Sequence, residues 1–216
     1  MEYTGGGEHF KARENIIVRR PASLRVEVMS ALGVALVVAA DAGQVAVFDP
    51  GKNTLLHGPA TAATLQRYAR IPMTPDATVR LMLGLAPDSA MLTLAPDSMT
   101  ENGDLKVLTF GHPGGAIDEL GFTNEGNLAM VRETLADGRI GYEVHYSDYL
   151  KLAGGILFPA QVDASFPKTG AALKFRYENP SVNQDVPDSD FVLVPGPGTR
   201  RFNLGMGIVA SDTAWG

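Results

Sequence analysis

The sequence contains no cysteine. That removes disulfides, a thiol nucleophile and Cys-ligated zinc, and it suits an oxidising or a reducing compartment equally well. Positive charge is also scarce. A formal net charge of −6 argues against a protein held by charge to nucleic acid or to anionic lipid headgroups, since both need a clustered positive field. The one tryptophan, Trp215, stands near the end of the sequence and reads as incidental rather than as a binding platform. Long apolar runs are missing too. The greasiest stretch, Gly33 to Phe48, carries only Asp41 as a charge, yet it is shorter than the ~18–20 residues of a spanning helix and is broken at Asp41-Ala42-Gly43. The opening MEYTGGGEHF has neither a basic region nor an apolar core, so it reads as no signal peptide, as expected of a chain trimmed of its targeting segment.

Signatures of catalysis are absent as well. There is no G-x-S-x-G, no H-E-x-x-H and no Gly-rich phosphate loop. His9, His57, His112 and His145 are far apart in sequence, and Gly111-His112-Pro113-Gly114-Gly115 reads as a turn between strands. Asp185, Asp188 and Asp190 lack the glycine and distal glutamate of an EF-hand, so they read as an acidic surface turn. Asp118 and Glu119 are adjacent and on a strand would point to opposite faces, which rules out a shared glycosidic site. The expectation is a protein with no catalytic residues, no metal and no cofactor.

What the sequence does have is alternation. In residues 23–30, Leu24, Val26 and Val28 alternate with Arg25, Glu27 and Met29; Val34, Leu36 and Val38 then face one way and Ala35, Val37 and Ala39 the other. Both faces of that second segment need shelter. Val45 and Val47 share a face in 44–48, and further strand signals fall at 8–20, 90–95, 104–111, 115–122, 127–135, 139–150, 156–165, 170–178 and 189–194. Ile140, Tyr142, Val144 and Tyr146 alternate with Gly141, Glu143, His145 and Ser147 in the same way. Between the early and late strands the period changes. Ala62, Leu65 and Ala69 form a helical stripe over 60–69, and Thr74-Pro75-Asp76 opens a second short helix that Gly84 ends.

A chain of 216 residues can form one or two domains and bury a sizeable core. No linker divides the strand series, so residues 1–194 read as a single domain, followed by a Pro/Gly-rich tail over 195–216. The expected class is mainly β (α+β): a half-open antiparallel barrel of about eleven strands, with short helices capping an apolar cavity.

One residue sits oddly. Leu32, the best hydrophobe of EVMSALGVAL, stands at the Ser30-Ala31-Leu32-Gly33 turn. LRVEVMSALG (24–33), the greasy hairpin after it, VRLMLGLAPD (79–88) and the YEVHYSDY…FPAQV run (142–162) occur in an order that resembles the bacterial LolB lipoprotein-receptor family and its LolA carrier relatives. The resemblance spans roughly residues 8–194. It implies an incomplete β-barrel capped by helices that takes lipoprotein acyl chains into an apolar cavity, without a covalent step, at the periplasmic face of the outer membrane. Its partners would be lipoprotein acyl chains or another lipid, a periplasmic carrier protein and the inner leaflet of the outer membrane. The family's exposed membrane-engaging leucine matches Leu32, flanked by Ala31 and Gly33. The alternative for Leu32 is a side chain tucked into the core.

Strand parity nominates Val26, Val28, Leu36, Val38, Val45, Val47, Tyr142, Val144 and Tyr146 as cavity lining, with Leu81 of the second helix, without fixing which face is concave. The sequence departs from the family in lacking a lipobox cysteine and an opening helix and in carrying the tail. The first two departures fit truncation; in a complete chain they would favour a soluble carrier. A periplasmic carrier of free lipids and a structural β-domain of an envelope complex remain the alternatives.

Overall fold

Alternation at every second residue builds two sheets, one in each of two compact units. The computed structural model describes residues 1–88 and 93–204. Strand outweighs helix by 50% to 12%, which places the chain in the mainly β class. Neither sheet closes on itself among the described residues, in keeping with a half-open rather than a closed barrel.

The first unit comprises residues 1–11 and 80–184. Its nine-stranded sheet contains β1 (Glu2–Gly5), β2 (Glu8–Lys11), β8 (Ser98–Asn102), β9 (Leu105–Gly111), β10 (Ile117–Phe122), β11 (Leu128–Thr134), β12 (Ile140–Lys151), β13 (Leu157–Phe166) and β14 (Ala171–Arg176). Strands β8 to β14 form an antiparallel meander, and β1 and β2 extend it beyond β14. Register aligns Leu120, Val131, Val144, Ala164, Leu173 and Tyr3 in one row across the sheet, and all are buried. The next row, on the opposite face, is ionic: Arg132 bridges Glu119 and Glu143, and Glu143 also accepts from His145. One face is the core and the other meets water.

The second unit comprises residues 12–79 and 185–216. Its six-stranded sheet contains β3 (Arg13–Arg19), β4 (Ser23–Ser30), β5 (Gly33–Asp41), β6 (Gln44–Asp49), β7 (Thr54–Pro59) and β15 (Arg200–Asn203). Val26, Val38 and Val47 align across the sheet and are buried. On the other face of β5, Val37 and Ala39 are buried as well. A short 3₁₀ turn over Asp188–Phe191 lies against β4 and β5. Its Phe191 is buried under the Arg19 guanidinium, 4.8 Å from the ring centre, and Arg25 donates to the Asp190 carbonyl at 3.1 Å.

That turn corrects the reading of 189–194 as a strand: Phe191 shelters the second face of β5 instead of extending a ladder. Strands β1, β7, β8 and β15 were not expected, and β15, inside the stretch read as a tail, pairs in parallel with β7. The segment 8–20 divides into β2 and β3. Of 90–95, residues 90–92 lie outside the described residues and 93–95 are not strand. Helix α1 (Ala62–Ala69) starts from Thr61, whose hydroxyl accepts from the Thr64 N–H at 3.2 Å. Helix α2 (Pro75–Met82) has the expected Pro first and Asp76 in its first turn.

Candidate functional site

The β4–β5 hairpin has a two-residue tip, Ala31 and Leu32, between the paired Ser30 and Gly33. The Ser30 hydroxyl fixes the tip: it accepts from the Leu32 N–H at 3.2 Å and donates to the Gly33 carbonyl at 3.0 Å. Gly33 supplies a φ of 117° that a side chain would resist. Leu32 is 101% exposed, which removes the reading that it tucks into the core. Ala31, Val34 and Ala35 are exposed beside it. Pairing with β6 stops at Val37, so the four residues Gly33 to Leu36, about 13 Å of strand at ~3.3 Å per residue, lack a β6 partner.

In the first unit, the buried face of the nine-stranded sheet is covered in part by the chain leaving α2. The Tyr146 hydroxyl donates to the Leu85 carbonyl at 2.8 Å, and the Tyr177 hydroxyl donates to the Met82 carbonyl at 3.1 Å. Gly84, at φ 71°, comes so close to β13 that a β-carbon would lie 2.5 Å from Pro159 Cγ. Burial is the main cause that pushes the Tyr146 hydroxyl well above its ordinary pKa. The Tyr146 phenol therefore acts as a neutral donor.

At one end of the same buried face stands a polar group. Asp118 on β10 is opposite Glu133 on β11, and Glu133 is opposite Tyr142 on β12. Gly141, which lacks a side chain, leaves room for the Glu133 carboxylate. His112 Nε2 and Asp118 Oδ2 are 2.5 Å apart, and Asp118 Oδ1 is buried with no hydrogen-bond partner. Asp88, from the segment after α2, brings a third donor, so one ligand atom from each of Asp88, His112 and Asp118 falls within 4.8 Å of the others. Burial raises the pKa of Asp118, an effect that His112 opposes and Asp88 adds to. Burial also raises Glu133, and the charges of Asp118 and Asp88 add to it.

The residues nominated as cavity lining are all buried. Val26, Val28, Leu36, Val38, Val45 and Val47 lie in the second unit, and Leu81, Tyr142, Val144 and Tyr146 in the first. A groove of ≈ 310 Å³ opens on the first unit's sheet, but charged and polar groups such as Glu2, Glu143, His145, Asp163 and Lys174 contribute to its lining. It is no acyl site. The pairing of His112 with Asp118 was missed by the sequence reading, although the signal existed: a tight hairpin makes residues 112 and 118 diagonal neighbours on one face. Among the described residues, no helix is long and apolar enough to cross a membrane.

No family model and no curated protein matches the sequence. Solved structures do. A LolA superfamily protein from Nitrosomonas europaea superposes with a TM-score of 0.58 at 11% identity, covering 89% of this chain and 86% of its own. A DUF1329 family protein from Desulfovibrio piger gives 0.54 at 11% identity, covering 88% and 86%. A domain from Vibrio parahaemolyticus, described as an outer membrane lipoprotein-sorting protein, gives 0.51 at 7% identity, covering 88% and 85%. At these identities the likeness is one of architecture, and the chain has the LolA-like fold.

Proposed function

We propose that this protein is a non-enzymatic carrier that shelters lipoprotein acyl chains and delivers them to the outer membrane from its periplasmic face. The observation that carries the reading is the fully exposed Leu32, on a hairpin whose tip Ser30 holds in place. A leucine costs exposed apolar area at a turn, and contact with an acyl layer returns ~2 kcal/mol. That is enough to touch a membrane and too little to anchor there.

Each lipid methylene removed from water contributes ~0.8 kcal/mol, so the sheltered chains, not the hairpin, dominate cargo affinity. Uptake against the nine-stranded sheet requires the segment after α2 to lift. Its two phenol hydrogen bonds contribute about 1 kcal/mol each, and a few methylenes of cargo outweigh them. Mass spectrometry of lipids that copurify with the protein tests the reading. Acylated lipoprotein fragments support it; phospholipid alone favours a free-lipid carrier, and a lipid-free, well-folded protein favours a structural domain.

A further inference from the structure

The polar group at the end of the nine-stranded sheet is unaccounted for by any acyl-binding role. Its position is unfavourable on elementary grounds. Asp118 is 4% exposed, and a buried carboxylate oxygen without a hydrogen bond costs free energy that a water or an ion beside it would recover. The Asp118 Oδ1 oxygen is such an atom. Asp88 brings a second carboxylate to the same place, and Glu133 stands directly across from Asp118 in the sheet. One imidazole, His112, stands against them.

A cation resolves all three facts. One nitrogen and two carboxylate donors come within 4.8 Å of one another. Around an ion with metal–ligand distances of about 2.0–2.2 Å, such donors stand ~3.4 Å apart, so the farthest pair must close, and the His112–Asp118 pair, now at 2.5 Å, must open, each by on the order of 1 Å. Asp88 and His112 are only half-buried and can make that adjustment, with the ion replacing the hydrogen bond between His112 and Asp118. An imidazole nitrogen in so small a donor set fits a first-row transition metal better than calcium, which takes 6–8 oxygens. Glu133, directly across from Asp118, stands outside this group of three donors, its carboxylate beside Gly141.

We propose that Asp88, His112 and Asp118 bind one divalent metal ion of the zinc class, tying the segment after α2 to the β9–β10 hairpin. The ion is structural: it pins one end of the cover that Tyr146 and Tyr177 hold elsewhere. The site stands independently of the acyl-carrier reading.

The test is calorimetric titration of the chelator-stripped full chain with Zn²⁺, with Mg²⁺ and Ca²⁺ as controls, and thermal melting with and without Zn²⁺. The expected result is one Zn²⁺ per chain, no competition by Mg²⁺ or Ca²⁺, and a melting temperature raised by about 5–10 °C at Zn²⁺ 100-fold above Kd. Asp88→Asn and His112→Gln should each weaken binding by about 100-fold, at least what loss of an outer-shell partner costs. Co²⁺ bound to the unaltered chain should show visible d–d absorption, a readout that needs no variant to fold. No saturable Zn²⁺ binding, or binding undiminished in both variants, overturns the proposal.

Discussion

The two sheets solve one problem differently. The nine-stranded sheet carries a row of ion pairs on its outer face, and the cover of its buried face is held by directed hydrogen bonds from Tyr146 and Tyr177. The six-stranded sheet buries almost pure aliphatic residues, shelters β5 on both faces, and leaves its β4–β5 tip bare. On its β3 strand the Glu14 Oε2 atom is buried with no hydrogen-bond partner. The contrast teaches that polar groups in the first unit hold the end of α2 and the segment after it against the sheet, whereas the second unit directs apolar surface outward at its hairpin tip. On the proposed function, sheltering cargo and touching the membrane are tasks of different sheets.

The largest expected effect breaks the comparison at the cores. Phe175→Ala should cost the nine-stranded sheet about 3–5 kcal/mol and Leu24→Ala should cost the six-stranded sheet about 2–5 kcal/mol in denaturant unfolding, because both side chains are fully buried. A loss below about 1 kcal/mol at Phe175 would mean an open cavity rather than a filled core there.

Next comes Glu14. Burial pushes its carboxyl from 4.5 up to about 7, so the folded chain favours the protonated form. Stability from this group is therefore intact below pH 4.5, falls between pH 4.5 and about 7, and stays low above. Glu14→Gln should stabilise the protein by on the order of 2–3 kcal/mol at pH 8 and by far less at pH 4, at ~1.4 kcal/mol per unit. Equal effects at the two pH values would contradict a buried carboxyl.

Smaller still is Tyr146→Phe, which removes the bond to the Leu85 carbonyl and should cost about 1 kcal/mol while speeding lipid uptake. Unchanged uptake would detach the cover from cargo entry. The smallest effect on folding belongs to Leu32→Glu: within about 0.5 kcal/mol of the parent in stability, with release of bound lipid into vesicles impaired. An unimpaired release rate would remove Leu32 from the account.

Strands with one clean face were legible in the sequence, and Ile140 to Tyr146 is the plainest example. Strand β7 was not, because TLLHGP ends in Gly58-Pro59, which reads as a helix start; the structure puts the cap at Thr61 instead. The run FVLV at 191–194 has strand composition, yet Phe191 is more useful as a lid on β5 than as a ladder residue. Local alternation cannot express that choice. Leu32 was legible for the opposite reason, since a large hydrophobe at a turn has no local explanation. His112 and Asp118 could have been paired from hairpin geometry, but Asp88 reaches them only through the fold of the segment after α2.

The central claim is that the protein shelters lipoprotein acyl chains. Its most direct test is titration of the delipidated protein with a fluorescent triacylated lipopeptide, with free phospholipid as competitor. The account predicts saturable lipopeptide binding that phospholipid displaces poorly. A well-folded sample that binds no lipopeptide would contradict it.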